Sequence, residues 1–395
     1  MRKLHILTLI LAALLTGACV YDFTTDLAGD EGILVVEGDI LIGDLTTIRL
    51  SRSIKLSGSD QVDRVPGACY VEASDGTRYG NGSPVIDTRN ADPLLEYRLL
   101  IETGGRRYAS EWAPVLPAAP IDSLSFSISA DRTTMTVEVS THGSAENRYY
   151  RWIAEETWEY HAPFQASHYF VQSGRMLNGE RAARDTVAQY ENGENSYFCW
   201  SSALVKDVMV ASTDQLSENR LVRQPLYRMN CYEERISYYY SVLLKQECIS
   251  ETAYRYWTML DRNSTDVGGL FSPEPYEMRG NVFNEDDPSE MVLGYISVSS
   301  PASTRYFIQS SKMMFPKTHR SDYDFEPVYV QKTEWRNYYR SGYDVYMIHT
   351  DEAAGSGIES ADDYEFDWLP ARCVKCWLSG SGSKAKPDWW PNDHK

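Results

Sequence analysis

ILVVEGDILI, residues 33–42, is rich in β-branched and leucine side chains and runs into turn residues at Gly43-Asp44. An apolar run of this length between turn residues signals strand. Working outward, residues 46–51 (TTIRLS) alternate as a half-buried strand does. Residues 66–73 (PGACYVEA) lead into the tight turn Asp75-Gly76. Residues 94–102 and 106–112 form a predicted hairpin across Thr103-Gly104-Gly105. Short strands at this spacing, with Gly and Asp turns and no helical period, predict an immunoglobulin-like β-sandwich over 33–118. The proline-rich stretch APVLPAAP at 113–120 reads as its exit linker.

A larger β-rich region is expected over 119–395. Residues 122–128 and 134–140 alternate around the turn Asp131-Arg132. In residues 148–160 (RYYRWIAEETWEY), Tyr150, Trp152, Trp158 and Tyr160 share one parity, and Arg151, Glu155 and Glu159 take the other, so the stretch reads as a long strand. Residues 161–217 read as long loops with short strands, and residues 235–246 (RISYYYSVLLKQ) as another strong strand. One inserted helix is expected over 250–263. Ser250 suits its N-cap and Glu251 its first turn, while Ala253, Tyr256, Trp257 and Leu260 fall on one face. Residues 291–298 (MVLGYISV) return to strand, and the tail from Ala371 reads as loop. The predicted fold class is therefore mainly β, with an N-terminal sandwich and a larger β domain carrying one helix.

Upstream, residues 1–18 read as a signal peptide. Arg2 and Lys3 form a positive head, residues 4–15 are almost entirely apolar, and Thr16-Gly17-Ala18 lead into Cys19. The apolar run is too short to span a hydrocarbon core of ~30 Å. Cys19 is the predicted lipidation site, although Thr16 stands where a lipobox usually has Leu. Thr16-x-Ala18 also suits ordinary signal peptidase, and the cut precedes Cys19 either way. An acylated Cys19 contacts the membrane through its lipid and leaves a soluble body, with 19–32 as an acidic spacer.

The formal charge is −18, and becomes −20 without Arg2 and Lys3. So acidic a body is a poor partner for nucleic acid, whose affinity depends on neutralising phosphates. The 28 Tyr and 10 Trp fit half-buried sheet faces; a stacking platform for a sugar or peptide is the functional alternative.

Several marks recur in order along the chain: LVVEG at 34–38, PIDSL at 120–124, AYRYW at 253–257 and GGLFSPEP at 268–275. They continue with Gly280-Asn281, VLGYISVSS at 292–300, and Cys373-x-x-Cys376 with Lys386-Pro387-Asp388-Trp389. On these the chain resembles the Bacteroidota exported proteins grouped as domain of unknown function 4249. The resemblance implies an outer-membrane lipoprotein, on the cell surface or the periplasmic face, often encoded beside a TonB-dependent receptor and without an established activity.

Beyond Cys19, six cysteines remain, an even number compatible with disulfides in an exported chain. Cys373 and Cys376 are the candidate structural disulfide. A zinc site needs four N or S ligands and lacks a second CxxC here, and a redox CxxC expects a strand-to-helix setting that Gly380 and Gly382 do not suggest. The histidines form no HExxH or HxH pair, and no GxSxG elbow, Walker loop or GxGxxG motif occurs. Carboxylates abound, as at Glu155-Glu156, Glu285-Asp286-Asp287 and Asp362-Asp363, but read first as solvated loops. No catalytic residue, metal or cofactor is expected. The leading expectation is a non-enzymatic accessory protein of a TonB-dependent uptake system, with Trp152, Trp158, Trp200 and Trp257 as possible contacts to an unknown small molecule, glycan or peptide. A structural partner of the transporter without a small ligand, or an unidentified hydrolase, are the alternatives.

Overall fold

The computed structural model describes residues 32–53, 63–144, 147–190, 196–265, 279–309, 325–349, 365–380 and 382–391. Residues 1–31, with the signal peptide, Cys19 and most of the spacer, lie outside them, as do GGLFSPEP and Asp362-Asp363. The chain is mainly β, as expected.

In the N-terminal unit, strand Leu34–Glu37 runs antiparallel to Arg49–Arg52. A second sheet places Glu96–Thr103 between Ala68–Ala73 and Arg106–Ser110. Strict alternation makes this possible: Cys69, Val71 and Ala73 bury one side of their strand, and Tyr97, Leu99 and Ile101 do the same opposite. These pack with Leu34, Val36, Ile48 and Leu50 into one core.

The same core also takes Val282, Val292, Ile296 and Val298 from a segment about 180 residues later. That segment pairs Val282–Asn284 with Arg106–Ser110, and lays Val292–Leu293 and Val298–Ser299 parallel to Leu34–Glu37 and Ile40–Leu41. The N-terminal unit is thus completed by chain far outside 33–118. The proline-rich 113–120 stretch is also packed: Ala113–Pro114 pairs with Tyr97 and Glu96, and Leu116 bridges Ser299.

Two glycines of the sequence marks hold the returning segment. A Cβ on Gly280 would lie 1.5 Å from the Gly294 carbonyl oxygen, and one on Gly294, at φ +140°, would lie 2.2 Å from the Val36 carbonyl. Both neighbours are backbone, so neither can swing aside. Gly280→Ala is expected to lower stability by about 1–3 kcal/mol or more, read as a fall in the urea midpoint. An unchanged midpoint would show that the segment is not held this tightly.

The second unit is a pair of facing sheets. One orders Ile121–Ile128, Thr134–His142 and Arg220–Asn230. The other orders Phe198–Leu204, Tyr149–His161, Tyr239–Cys248 and Ala302–Gln309, with Met209–Ser212 beside Tyr149–His161. As the parity reading expects, Tyr150, Trp152 and Tyr160 are buried. The strand expected from 235 begins at Tyr239, after a 3-10 turn at Glu234–Ile236. Helix Glu251–Thr265 follows, and the Ser250 hydroxyl accepts the Ala253 N–H as its cap. A smaller three-stranded sheet (Val328–Val330, Phe366–Pro370 and Tyr343–Ile348) encloses Trp335 and Trp368 with Phe170. The expected loop of the tail contains two short helices, Ala371–Val374 and Cys376–Ser379. No helix among the described residues is long and apolar enough to cross a membrane.

Candidate functional site

The outer face of the second unit's larger sheet meets the N-terminal unit at a seam, and a cavity of about 390 Å³ lies along it. Cross-strand register builds its floor. Arg151 lies opposite Glu247, Ile153 opposite Lys245, and Glu155 between Leu243 and Leu204. The turn 37–39 and residues 41–49 of the N-terminal unit form one wall, the 204–209 connection another, and Trp257 of the helix closes the inner end.

The inner end is an ionic cluster. Asp39 follows LVVEG at a sharp turn and is buried at 5 % exposure. One of its carboxyl oxygens receives Arg151 Nη1, and the other accepts the Ser297 N–H at 3.1 Å. The Arg151 guanidinium also lies over the Trp257 ring, 3.9 Å from its centroid, an arrangement favoured by the ring quadrupole. Burial works against the charged guanidinium, but Asp39 and then Glu247 outweigh it and raise its pKa.

Glu247 differs from Asp39. It is wholly buried, its nearest cationic atom is Arg151 Nη1 at 3.7 Å, and neither of its carboxyl oxygens has a hydrogen-bond partner among the described residues. Burial first, and the Asp39 charge second, push its pKa up to about 8, against the opposing pull of Arg151 and Lys245. Lys245 is held by Asp44 across the same seam at 2.6 Å. Hydrogen bonds from Lys245 and the Leu45 N–H outweigh burial and lower the Asp44 pKa. Two ion pairs therefore join the units, and between them burial shifts Glu247 toward its protonated form.

Three of the sequence marks converge here: LVVEG leads into Asp39, AYRYW supplies Tyr256 and Trp257, and VLGYISVSS supplies Ser297. Of the four tryptophans expected as contacts, Trp152 and Trp257 line the cavity. Trp152 is buried with its N–H donated to Gln246. Trp158 packs half-buried against the core, and Trp200 pairs through its backbone with Ser383. Asp39 and Glu247 were not foreseen, and Arg151 was read only as an outward residue.

The other candidates resolve as structure. Glu156 lies in the core, accepting Tyr240 Oη–H and Arg235 Nη1, each at 2.5 Å. Glu285 and Asp286 face Arg107 on the surface. His161 stacks on Tyr238 with ring centroids 3.5 Å apart, and lies 2.7 Å from Glu159, whose other oxygen accepts the Trp390 N–H. Among the described residues, no group of three or more His, Cys, Asp or Glu could hold a metal ion.

The expected Cys373–Cys376 bond requires correction: Cys376 is bonded to Cys199, and Cys373 is a buried free thiol. The two side chains enter different cores. Cys376 packs with Tyr160, Ala162 and Cys199, whereas Cys373 packs with Ala166, Leu369 and Val374. Burial raises the Cys373 thiol pKa, which makes it a poor nucleophile.

A family model described as Domain of unknown function (DUF4249) matches residues 20–305, well over half of the chain. No curated protein matches it.

Proposed function

Because the chain belongs to the family of unknown function DUF4249, we propose its role from its site: a non-enzymatic, lipid-anchored accessory protein of a TonB-dependent outer-membrane uptake system, which receives a small ligand in the seam cleft. The cleft carries this reading, since it joins a cavity of about 390 Å³ to buried polar groups, Glu247 and Trp257 among them, that lack hydrogen-bond partners among the described residues. The signal-like N-terminus with Cys19 and the acidic body support an exported, tethered protein. Rigid sheets on both sides suit capture and hand-over of a ligand.

The test is purification of the tagged protein from native membranes with mass spectrometry of what accompanies it. A TonB-dependent receptor in stoichiometric amount is expected, and its cargo then becomes the ligand to assay. Recovery of the protein alone from mild extracts would remove the stable uptake complex.

The raised pKa of Glu247 beside Asp39 favours one second reading, a hydrolase with Glu247 as proton donor. That reading requires a turnover that Glu247→Gln abolishes while binding persists.

A further inference from the structure

Glu247 lies where four pieces of chain meet, and its burial is not matched by hydrogen bonds. The groups acting on it are Asp39 from the N-terminal unit, Arg151 from the neighbouring strand, and Lys245 and Cys248 from its own strand, while Arg151 in turn faces Tyr256 and Trp257 of the helix. Arg151 gives its short contact to Asp39 and stays 3.7 Å from Glu247. Lys245 is committed to Asp44. Among the described residues, the ion pair to Glu247 is the 3.7 Å contact with Arg151, and an ionised carboxylate so placed opposes burial.

We propose that the seam is a proton-operated latch: Glu247 holds a proton while the N-terminal unit is seated on the second unit's sheet, and gives it to solvent water when the seam opens. The direction of the Glu247 shift agrees with this. An acid whose pKa is raised in the closed state binds more protons there than in the open state, between its ordinary 4.5 and about 8. Opening therefore becomes easier as pH rises through that window, and levels off above it. For one proton, the opening equilibrium grows by up to about tenfold per pH unit. Asp39, Ser297, Trp257 and the cavity all lie on this seam, so the latch sets access to the cleft. It rests on the binding reading only for that consequence, since opening is measured without ligand or receptor.

The experiment is hydrogen exchange with mass spectrometry on residues 36–45 and 244–258 of the mature protein, normalised for the intrinsic pH dependence of exchange. The wild type is expected to show an opening constant that rises with pH across the window, and Glu247→Gln one that is flat. A flat wild-type profile, or a rise that survives in Glu247→Gln, overturns the latch. Should Glu247→Gln fail to fold, infrared titration of the wild type decides. A protonated-carboxyl band that persists at neutral pH and disappears near pH 8 supports the latch; its absence at neutral pH overturns it. Neither result bears on whether a receptor co-purifies.

Discussion

Arg151→Met is expected to lower stability by about 3–5 kcal/mol, the usual consequence of removing one partner from a buried ion pair. The methionine keeps an unbranched apolar stem beside Trp257, so lost packing is a small part of the effect. What remains is Asp39, at 5 % exposure, with its Ser297 hydrogen bond and no cation. Glu247 contributes less to the loss because its raised pKa already favours the neutral acid around neutrality. The double variant Arg151→Met with Asp39→Asn separates these terms. Asparagine keeps an oxygen for the Ser297 N–H but carries no charge, so the pair is expected to lose much less than the sum of the single changes. Urea unfolding of the four proteins completes the cycle. Additive losses would mean that Arg151 and Asp39 do not act as a pair, and that the seam is held by packing alone.

Much of the fold was legible because it depends on local periodicity. The alternation in residues 148–160 separated the core-facing Tyr150, Trp152 and Tyr160 from the outward Arg151 and Glu155, but Trp158 is only half-buried, and Glu159, on the outward parity, is buried against Trp390 of the tail. The hairpin around Gly104-Gly105 and the Ser250 cap were likewise local features. The return of 281–299 into the N-terminal core was not legible, because its strands are only two or three residues long. Val282–Asn284 pairs antiparallel with Arg106–Ser110 with no hairpin turn between them, and the other two strands pair parallel with chain more than 200 residues away, which leaves no turn signature in the sequence. Gly280 and Gly294 carried a trace of it as glycines where two backbones meet, but a glycine does not say which backbone approaches.

The site was less legible for a related reason. Parity placed Arg151 on the outer face, where a charge is ordinarily solvated. Only the register that sets Arg151 against Glu247, and the seating of Asp39 over both, turns that face into an interior. Glu247 shares its parity with Lys245 and Leu243 on the outer face of their strand, so nothing local distinguishes it from Lys245. Burial by a distant part of the chain makes it a functional candidate.

Loss of the Cys199–Cys376 bond is expected to have an effect of similar size. The bond joins residues 177 apart, and the chain-entropy relation gives about 5 kcal/mol for a loop of that length, with about 2–4 kcal/mol typical of measured bridges. Other contacts also hold the tail. Cys376 N–H donates to the Ser196 carbonyl at 2.9 Å, Trp200 and Ser383 exchange two backbone hydrogen bonds of 2.8 Å, and Trp390 packs on Tyr239 and Phe307. These favour partial retention of the tail in Cys376→Ala, with a lowered unfolding midpoint and easier proteolysis after Leu369. Cys373→Ala removes only a small buried group and is expected to cost about 1 kcal/mol. The contrast tests the pairing, because a Cys373–Cys376 bond would close too small a loop to stabilise much, and both variants would then lose little. Peptide mapping without reduction gives the covalent answer: a linked peptide pair containing Cys199 and Cys376 is expected, with Cys373 alkylated only after denaturation. A Cys373–Cys376 peptide would instead leave Cys199 as a buried thiol, and the tail would be held by noncovalent contacts such as the Cys376–Ser196 hydrogen bond, the Trp200–Ser383 bridge and the packing of Trp390.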